Sequence, residues 1–134
     1  MGHLLSFKEQ QLKFERVKSA YEEKETTIKG LLSSKEIKTE YGLFIRAFKQ
    51  EMELEIWIRQ KESEKFSLLI TYPFCTTSGK PGPKRKEGDL QIPEGVYYVN
   101  HFNPFSTFHL SLGINYPNDS DKILSDKQNP GGAI

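Results

Sequence analysis

One internal thiol, two internal histidines and a cationic loop are the side chains here whose types could do chemistry. Cys75 follows Tyr72-Pro73-Phe74 and would serve as a nucleophile if His101 or His109 stood beside it as a base. No Cys–His spacing in a sequence identifies such a dyad, and a free Cys at a strand end is more often a small buried apolar residue. Cys75 is therefore expected to be buried and poorly reactive, with no adjacent basic residue to activate it. His109 alternates with Phe108 and Leu110, so on a strand it points away from their apolar face. With Ser111 it would face a groove, although a surface histidine is the plainer reading; His101 has less to recommend it. Lys80-Pro81-Gly82-Pro83-Lys84-Arg85-Lys86 is a shaped basic loop that could hold a carboxylate-bearing ligand through its side chains. It lacks the Walker pattern of a phosphate cradle, and no interleaved aromatics suit it to nucleic acid. Asn118-Asp119-Ser120-Asp121 has the look of a calcium-loop fragment but lacks the Gly and the closing Glu, so neither a metal site nor a cofactor is expected.

The elements that must position these residues follow from periodicity. Phe14, Val17, Tyr21, Ile28, Leu31 and Leu32 recur at helical spacing among many Lys and Glu residues, which predicts an amphipathic helix from residue 4 to about 32. Gly30 or Ser33-Ser34 should end it. The period then drops to two. Met52, Leu54, Ile56 and Ile58 predict a half-buried strand, with Tyr41 to Phe48 as its antiparallel partner across a Lys49-Gln50 turn. Phe66, Leu68, Ile70 and Tyr72 mark a third strand after the charged loop 60–65. Residues 76–95, rich in Gly and Pro, read as loop. Val96 to His101 and Phe108 to Leu112 mark two more strands, and the chain from Asn115 onward is polar and turn-rich. The expected fold class is α+β, mostly β: an N-terminal helical segment over 1–35, then an antiparallel β-rich domain over 36–134. The ending Asn129-Pro130-Gly131-Gly132-Ala133-Ile134 reads as a turn followed by the start of another strand. The sheet is therefore expected to be incomplete at the C-terminus, with an unpaired edge through which copies could self-associate.

Composition narrows the class. The 134 residues fit one domain, and 36% hydrophobic residues can build a core. With 19 basic and 18 acidic residues the net charge is +1, so no global field draws the chain to nucleic acid or to an anionic membrane. No apolar run approaches the length of a membrane span. A single Cys excludes an internal disulfide. The start Met1-Gly2-His3-Leu4-Leu5 has neither the basic nor the apolar region of a signal peptide.

A longer stretch carries more. The run from Tyr72 to Tyr98 holds a Tyr-Pro strand end, Ser78-Gly79-Lys80-Pro81-Gly82-Pro83-Lys84, and Gly88-Asp89-Leu90-Gln91-Ile92-Pro93-Glu94-Gly95 leading into a strand. Phe108-His109-Leu110-Ser111-Leu112 and Asn115-Tyr116-Pro117-Asn118 follow in order. This series resembles the L,D-transpeptidase family of YkuD type, closest to its YafK-like branch, from about Phe44 to Ile134.

The resemblance implies a β-rich domain in which a Cys nucleophile and a His base process peptidoglycan stem peptides through a thioester. It also implies an exported, periplasmic or cell-envelope protein. Some YafK-like relatives trim or release peptides instead of cross-linking them, so an L,D-carboxypeptidase or amidase is an alternative, and a non-catalytic cell-wall peptide-binding module is another. Lys80, Lys84, His109 and Tyr116 lie in segments similar to the family's substrate side. The family signature, His-Gly followed by Ser/Thr-x-Gly-Cys, is missing: the sequence holds no His-Gly and no Gly-Cys. Neither Cys75 nor His109 matches a catalytic position, so the catalytic pair is expected downstream of Ile134.

Overall fold

A computed structural model describes residues 4–38, 40–132 and 134. The element order is α1 (Phe7–Gln11), α2 (Glu15–Ser34), β1 (Gly42–Phe48), β2 (Glu53–Arg59), β3 (Ser67–Pro73), β4 (Val99–Asn103), β5 (Ser111–Ile114) and α3 (Asp119–Leu124). The fold is α+β with antiparallel sheets, and helices and strands hold nearly equal numbers of residues. Two compact units divide the chain: Met1–Glu25 with Gly82–Ile134, and Thr26–Pro81. The reading of the first three residues lies outside the described part.

The expected single N-terminal helix is two. Ser6 caps α1 through a reciprocal box with Glu9, and Leu12 ends it. Lys13 and Phe14 then bond three residues back, to the Gln10 and Gln11 carbonyls, which tightens the chain before α2 begins. The break turns Phe7 and Phe14 to separate ring partners. Phe7 meets Phe102 edge-on at 4.9 Å between centroids, and Phe14 meets Phe105 at 5.1 Å. Gly30 lies inside α2, and the helix ends at Ser34 as the serine pair suggested. Ile37 N–H bonds the Leu32 carbonyl and Glu36 N–H bonds the Ser33 carbonyl, both at 3.0 Å. Glu36 holds the left-handed cap position, φ 56°, that glycine commonly fills.

The unit Thr26–Pro81 carries a three-stranded antiparallel sheet in the order β1-β2-β3. Leu43, Ile45 and Ala47 pair with Ile58, Ile56 and Leu54, so the apolar sets of β1 and β2 share one face, as the period-two pattern requires. Met52, read as strand, lies in the four-residue turn before β2 at φ 60°; the missing Gly or Asn is replaced by a strained Met. In β3 the alternation breaks. Ile70 pairs with Ile56 but Leu68 pairs with Trp57, leaving Leu69 as an extra residue. The bulge moves Leu68 to the face opposite Ile70, so the four residues 66, 68, 70 and 72 do not form one row.

The other unit holds a two-stranded sheet, β4-β5. Both strands start later than their sequence patterns suggested, at Val99 and Ser111. Gly113 sits opposite His101, whose Cβ would be 3.0 Å from any Cβ placed there; a side chain at 113 would force the strands apart. Asn115 extends the ladder, accepting from Tyr98 N–H at 2.8 Å and donating its own N–H to the Tyr98 carbonyl at 3.1 Å. The expected strand at Ala133–Ile134 lies partly outside the described residues; the Ile134 carbonyl accepts from Ile114 N–H at 2.7 Å.

α3 was not legible as a helix. It starts at Asn118, whose side chain bonds Asp121 N–H while the Asp121 carboxylate bonds Asn118 N–H. The Asn-Asp-Ser-Asp run is thus a capping box, not a metal loop. Among the described residues no group of three or more His, Cys, Asp or Glu side chains could hold a metal ion, and no helix is long and apolar enough to cross a membrane.

Candidate functional site

The Gly/Pro-rich loop is built around one carboxylate. Asp89 accepts from Lys84 Nζ at 2.8 Å and from the backbone N–H groups of Arg85, Lys86 and Gln91 at 2.8, 3.0 and 3.0 Å. An aspartate two to four residues from backbone donors closes such turns readily, because its short side chain reaches back onto its own chain. The bond to the Lys84 ammonium, joined by these amides, holds the Asp89 carboxyl well below the usual carboxylate range. Lys84 also donates to the Lys86 carbonyl at 2.9 Å, and its side chain is only 8% exposed. Gly82, at φ 120°, bonds Glu94 through its N–H at 3.0 Å and Gln91 through its carbonyl at 3.3 Å. A loop without regular structure is therefore fixed by side chains.

This loop carries the segment that follows α3. Asp126 N–H bonds the Arg85 carbonyl at 2.8 Å, and Glu87 N–H bonds the Asn129 carbonyl at 2.9 Å. Asp126 in turn accepts from Gln128 and Asn129 N–H at 2.8 and 2.9 Å, which closes a turn. Gly131, at φ 86°, crosses directly over the loop: a Cβ there would lie 2.9 Å from Lys84 Cε and 3.5 Å from Glu87 Cα. The buried Tyr116 donates its hydroxyl to the Pro130 carbonyl at 2.8 Å.

A second cluster joins the entry of β4 to α3. Tyr97 donates its hydroxyl to the buried Asp121 carboxylate, with both oxygens within 3.1 Å, and its ring lies 6.2 Å from that of Tyr116. Burial, then the bond to Asp121, pushes the Tyr97 hydroxyl well above its ordinary range. Asn118 Nδ2 bonds the Val96 carbonyl at 3.2 Å. Beside this cluster Ser125 is 8% exposed, and its Oγ has no hydrogen-bond partner among the described residues. Removing a buried hydroxyl that satisfies nothing should cost little, so Ser125→Ala is expected to change unfolding free energy by less than about 0.5 kcal/mol. A larger loss in urea titration would mean that the hydroxyl has a partner.

Of the four residues named as a substrate side, Lys84 and Tyr116 come together around the Asn129–Gly132 segment, and both are buried. His109 is exposed but is not on β5. Residues 107–110 form a turn, closed by His109 N–H on the Ser106 carbonyl at 3.1 Å, with His109 at φ 76°. That turn overrides the alternation with Phe108 and Leu110. It is held by Arg16 of α2, whose guanidinium donates to the Ser106 and His109 carbonyls at 2.8 and 3.1 Å. Lys80 belongs to the unit Thr26–Pro81 and is exposed.

Cys75 is a correction. It is exposed, not buried, because β3 ends at Pro73 and Cys75 falls on the bend beyond it. Cys75 and the two internal histidines also belong to different compact units.

Sequence reasoning missed Asp89, Tyr97, Asp121 and Arg16. Asn-x-x-Asp at 118–121 was a readable capping box, and Gly88-Asp89 a readable turn. Nothing local marks Arg16 or Tyr97, whose partners lie 90 and 24 residues away. In the unit Thr26–Pro81 there is also an open hollow of about 430 Å³ lined by Lys35, Lys38, Arg59 and Lys65, with Glu36 and Glu64. It lies at the carbonyl end of α2, where cations are favoured without any ligand.

Over 82 residues the chain is 37% identical to the Escherichia coli K12 protein named "Putative L,D-transpeptidase YafK", and equally so to the protein of the same name from Escherichia coli O157:H7. Over that stretch the chain is similar to these two YafK proteins. The match covers 60% of this chain but 32% of each YafK protein, so the chain spans about a third of the length of the curated relatives it matches. No family model matches it.

Proposed function

We propose that this chain is the forward part of an exported L,D-transpeptidase-type acyltransferase acting on peptidoglycan stem peptides, with the Cys nucleophile and His base supplied by residues that follow Ile134. The 82-residue match to the YafK proteins carries this reading. The fixed loop around Asp89 supports it, because Asp89 belongs to the Gly-Asp-x-Gln-x-Pro-Glu-Gly run that resembles the family and it holds the loop's shape. In such a mechanism a thiolate attacks the carbonyl of an L,D-linkage, an imidazole takes and returns the proton, and water or an amine resolves the thioester. Water as acceptor makes the protein a carboxypeptidase or amidase; an amine makes it a transpeptidase. His109, exposed on its turn, remains a side chain proposed to meet the substrate.

Purified muropeptides analysed by mass spectrometry test this directly. The 134-residue chain is expected to release or join no stem peptide, and the full gene product is expected to do so. In that product Cys75→Ala should keep activity within about twofold, whereas replacing the Cys of a downstream Gly-Cys should cost about a thousandfold or more. Turnover by the 134-residue chain that vanishes in Cys75→Ala would overturn the reading and make Cys75 the nucleophile. A gene product without His-Gly and Gly-Cys that binds stem peptides without turning them over would favour the non-catalytic module.

A further inference from the structure

We propose that Lys84, Asp89 and Tyr116 are positioning residues, which set the backbone of Asn129–Gly132 and thereby the placement of the residues that continue from it. This rests on the functional reading above, in which the reactive Cys and His follow that segment.

Three contacts converge on Asn129, Pro130 and Gly131. The Lys84 Cε lies 2.9 Å from where a Cβ on Gly131 would be, and its ammonium is tied to Asp89 and to the Lys86 carbonyl. Glu87 N–H holds the Asn129 carbonyl, and Glu87 follows Lys86 in the turn that Asp89 closes. The Tyr116 hydroxyl holds the Pro130 carbonyl. A Pro-Gly-Gly segment is the least self-ordering backbone a chain can offer, since glycine has the widest conformational range. Such a segment takes one path only if its surroundings impose it. Neither Lys84 nor Tyr116 has side-chain surface to spare for a substrate: Lys84 is 7% exposed and Tyr116 is 6% exposed. They act through the backbone they hold.

Two variants probe these contacts. Tyr116→Phe removes one hydroxyl, and Lys84→Met removes the ammonium while keeping an aliphatic chain beside Gly131. In the 134-residue chain, hydrogen exchange at the Glu87 amide, which donates to the Asn129 carbonyl at 2.9 Å, is expected to accelerate by about tenfold or more in each variant, with β2 amides unchanged. In the full gene product, kcat on muropeptides should fall by about tenfold to a hundredfold with KM within twofold, because misplaced reacting groups slow chemistry without weakening binding. Unchanged exchange at Glu87 overturns the proposal. Faster exchange with unchanged kcat overturns the positioning role, as does a rise in KM alone, which would return Lys84 and Tyr116 to substrate binding. An unsubstituted gene product with no turnover sinks the functional reading instead, and the exchange result then decides alone whether these residues place the segment.

Discussion

An Ile58→Ala chain is expected to unfold at clearly lower urea concentration than the parent, with a loss of about 3 kcal/mol. Ile58 has no exposed surface and is the largest fully buried side chain among the described residues. It pairs with Leu43 on β1 and Ser67 on β3 and lines the open hollow of this unit, so truncation removes buried packing beside that hollow. Its neighbours cannot fill the space left without breaking ladder pairing, which is why cavity cost adds to transfer cost. Leu43→Ala is the matched control. Leu43 is 55% exposed, and its loss should cost less than about 1 kcal/mol. Trp57, adjacent to Ile58 and the only tryptophan, reports the transition by fluorescence. Equal midpoints for the two variants would show that burial at Ile58 does not govern this sheet.

Acid is expected to unfold the parent along a steeper course than it unfolds Asp89→Asn. The Asp89 carboxyl is held below its ordinary 3.8 by Lys84 and three backbone amides. A carboxyl depressed in the folded state binds fewer protons there than in the unfolded chain at acid pH. Its stabilisation is therefore complete above about pH 5, and it is lost as pH falls below the ordinary value toward the depressed one. Asparagine carries no such proton and cannot accept from Lys84 with a full charge. The variant should have a lower urea midpoint than the parent at pH 7, and the gap should narrow by pH 2 to 3. Glu9, Glu23 and Asp126 are also held low and steepen the acid limb of both chains, so the difference between the two isolates Asp89. A gap that stays constant from pH 7 to pH 2 would mean that the Asp89 charge contributes nothing.

What was legible in the sequence had short-range causes. β1 and β2 follow from a clean period of two, and α2 from helical spacing closed by Ser33-Ser34. The family resemblance was legible because rigid Gly, Pro and Asp positions recur in order. What was not legible depends on one residue's displacement or on distant partners. The Leu69 bulge shifts the face of Leu68, and no periodicity announces a bulge. Cys75 falls two residues past its strand, which turns an expected buried thiol into an exposed one. The basic loop read as cationic surface, yet its central ammonium is spent on Asp89, five residues along the chain. Charge counting cannot tell a lysine that faces a ligand from one that braces a turn.

Gly131 and Gly132 are the same letter twice, but descent should treat them differently. A methyl group on Gly132 meets nothing within 4 Å, and the same is true of Gly30 inside α2. Lineages are free to drift to alanine at either position. At Gly131 the left-handed backbone and the Lys84 side chain beside it both refuse a Cβ. A smaller residue at 84 would relieve the contact but not the backbone strain, and it would leave Asp89 without its cation. Positions 84, 89 and 131 are therefore expected to be inherited as a set, and sequences that break the set while keeping the rest of the loop should have lost whatever work that loop was kept for.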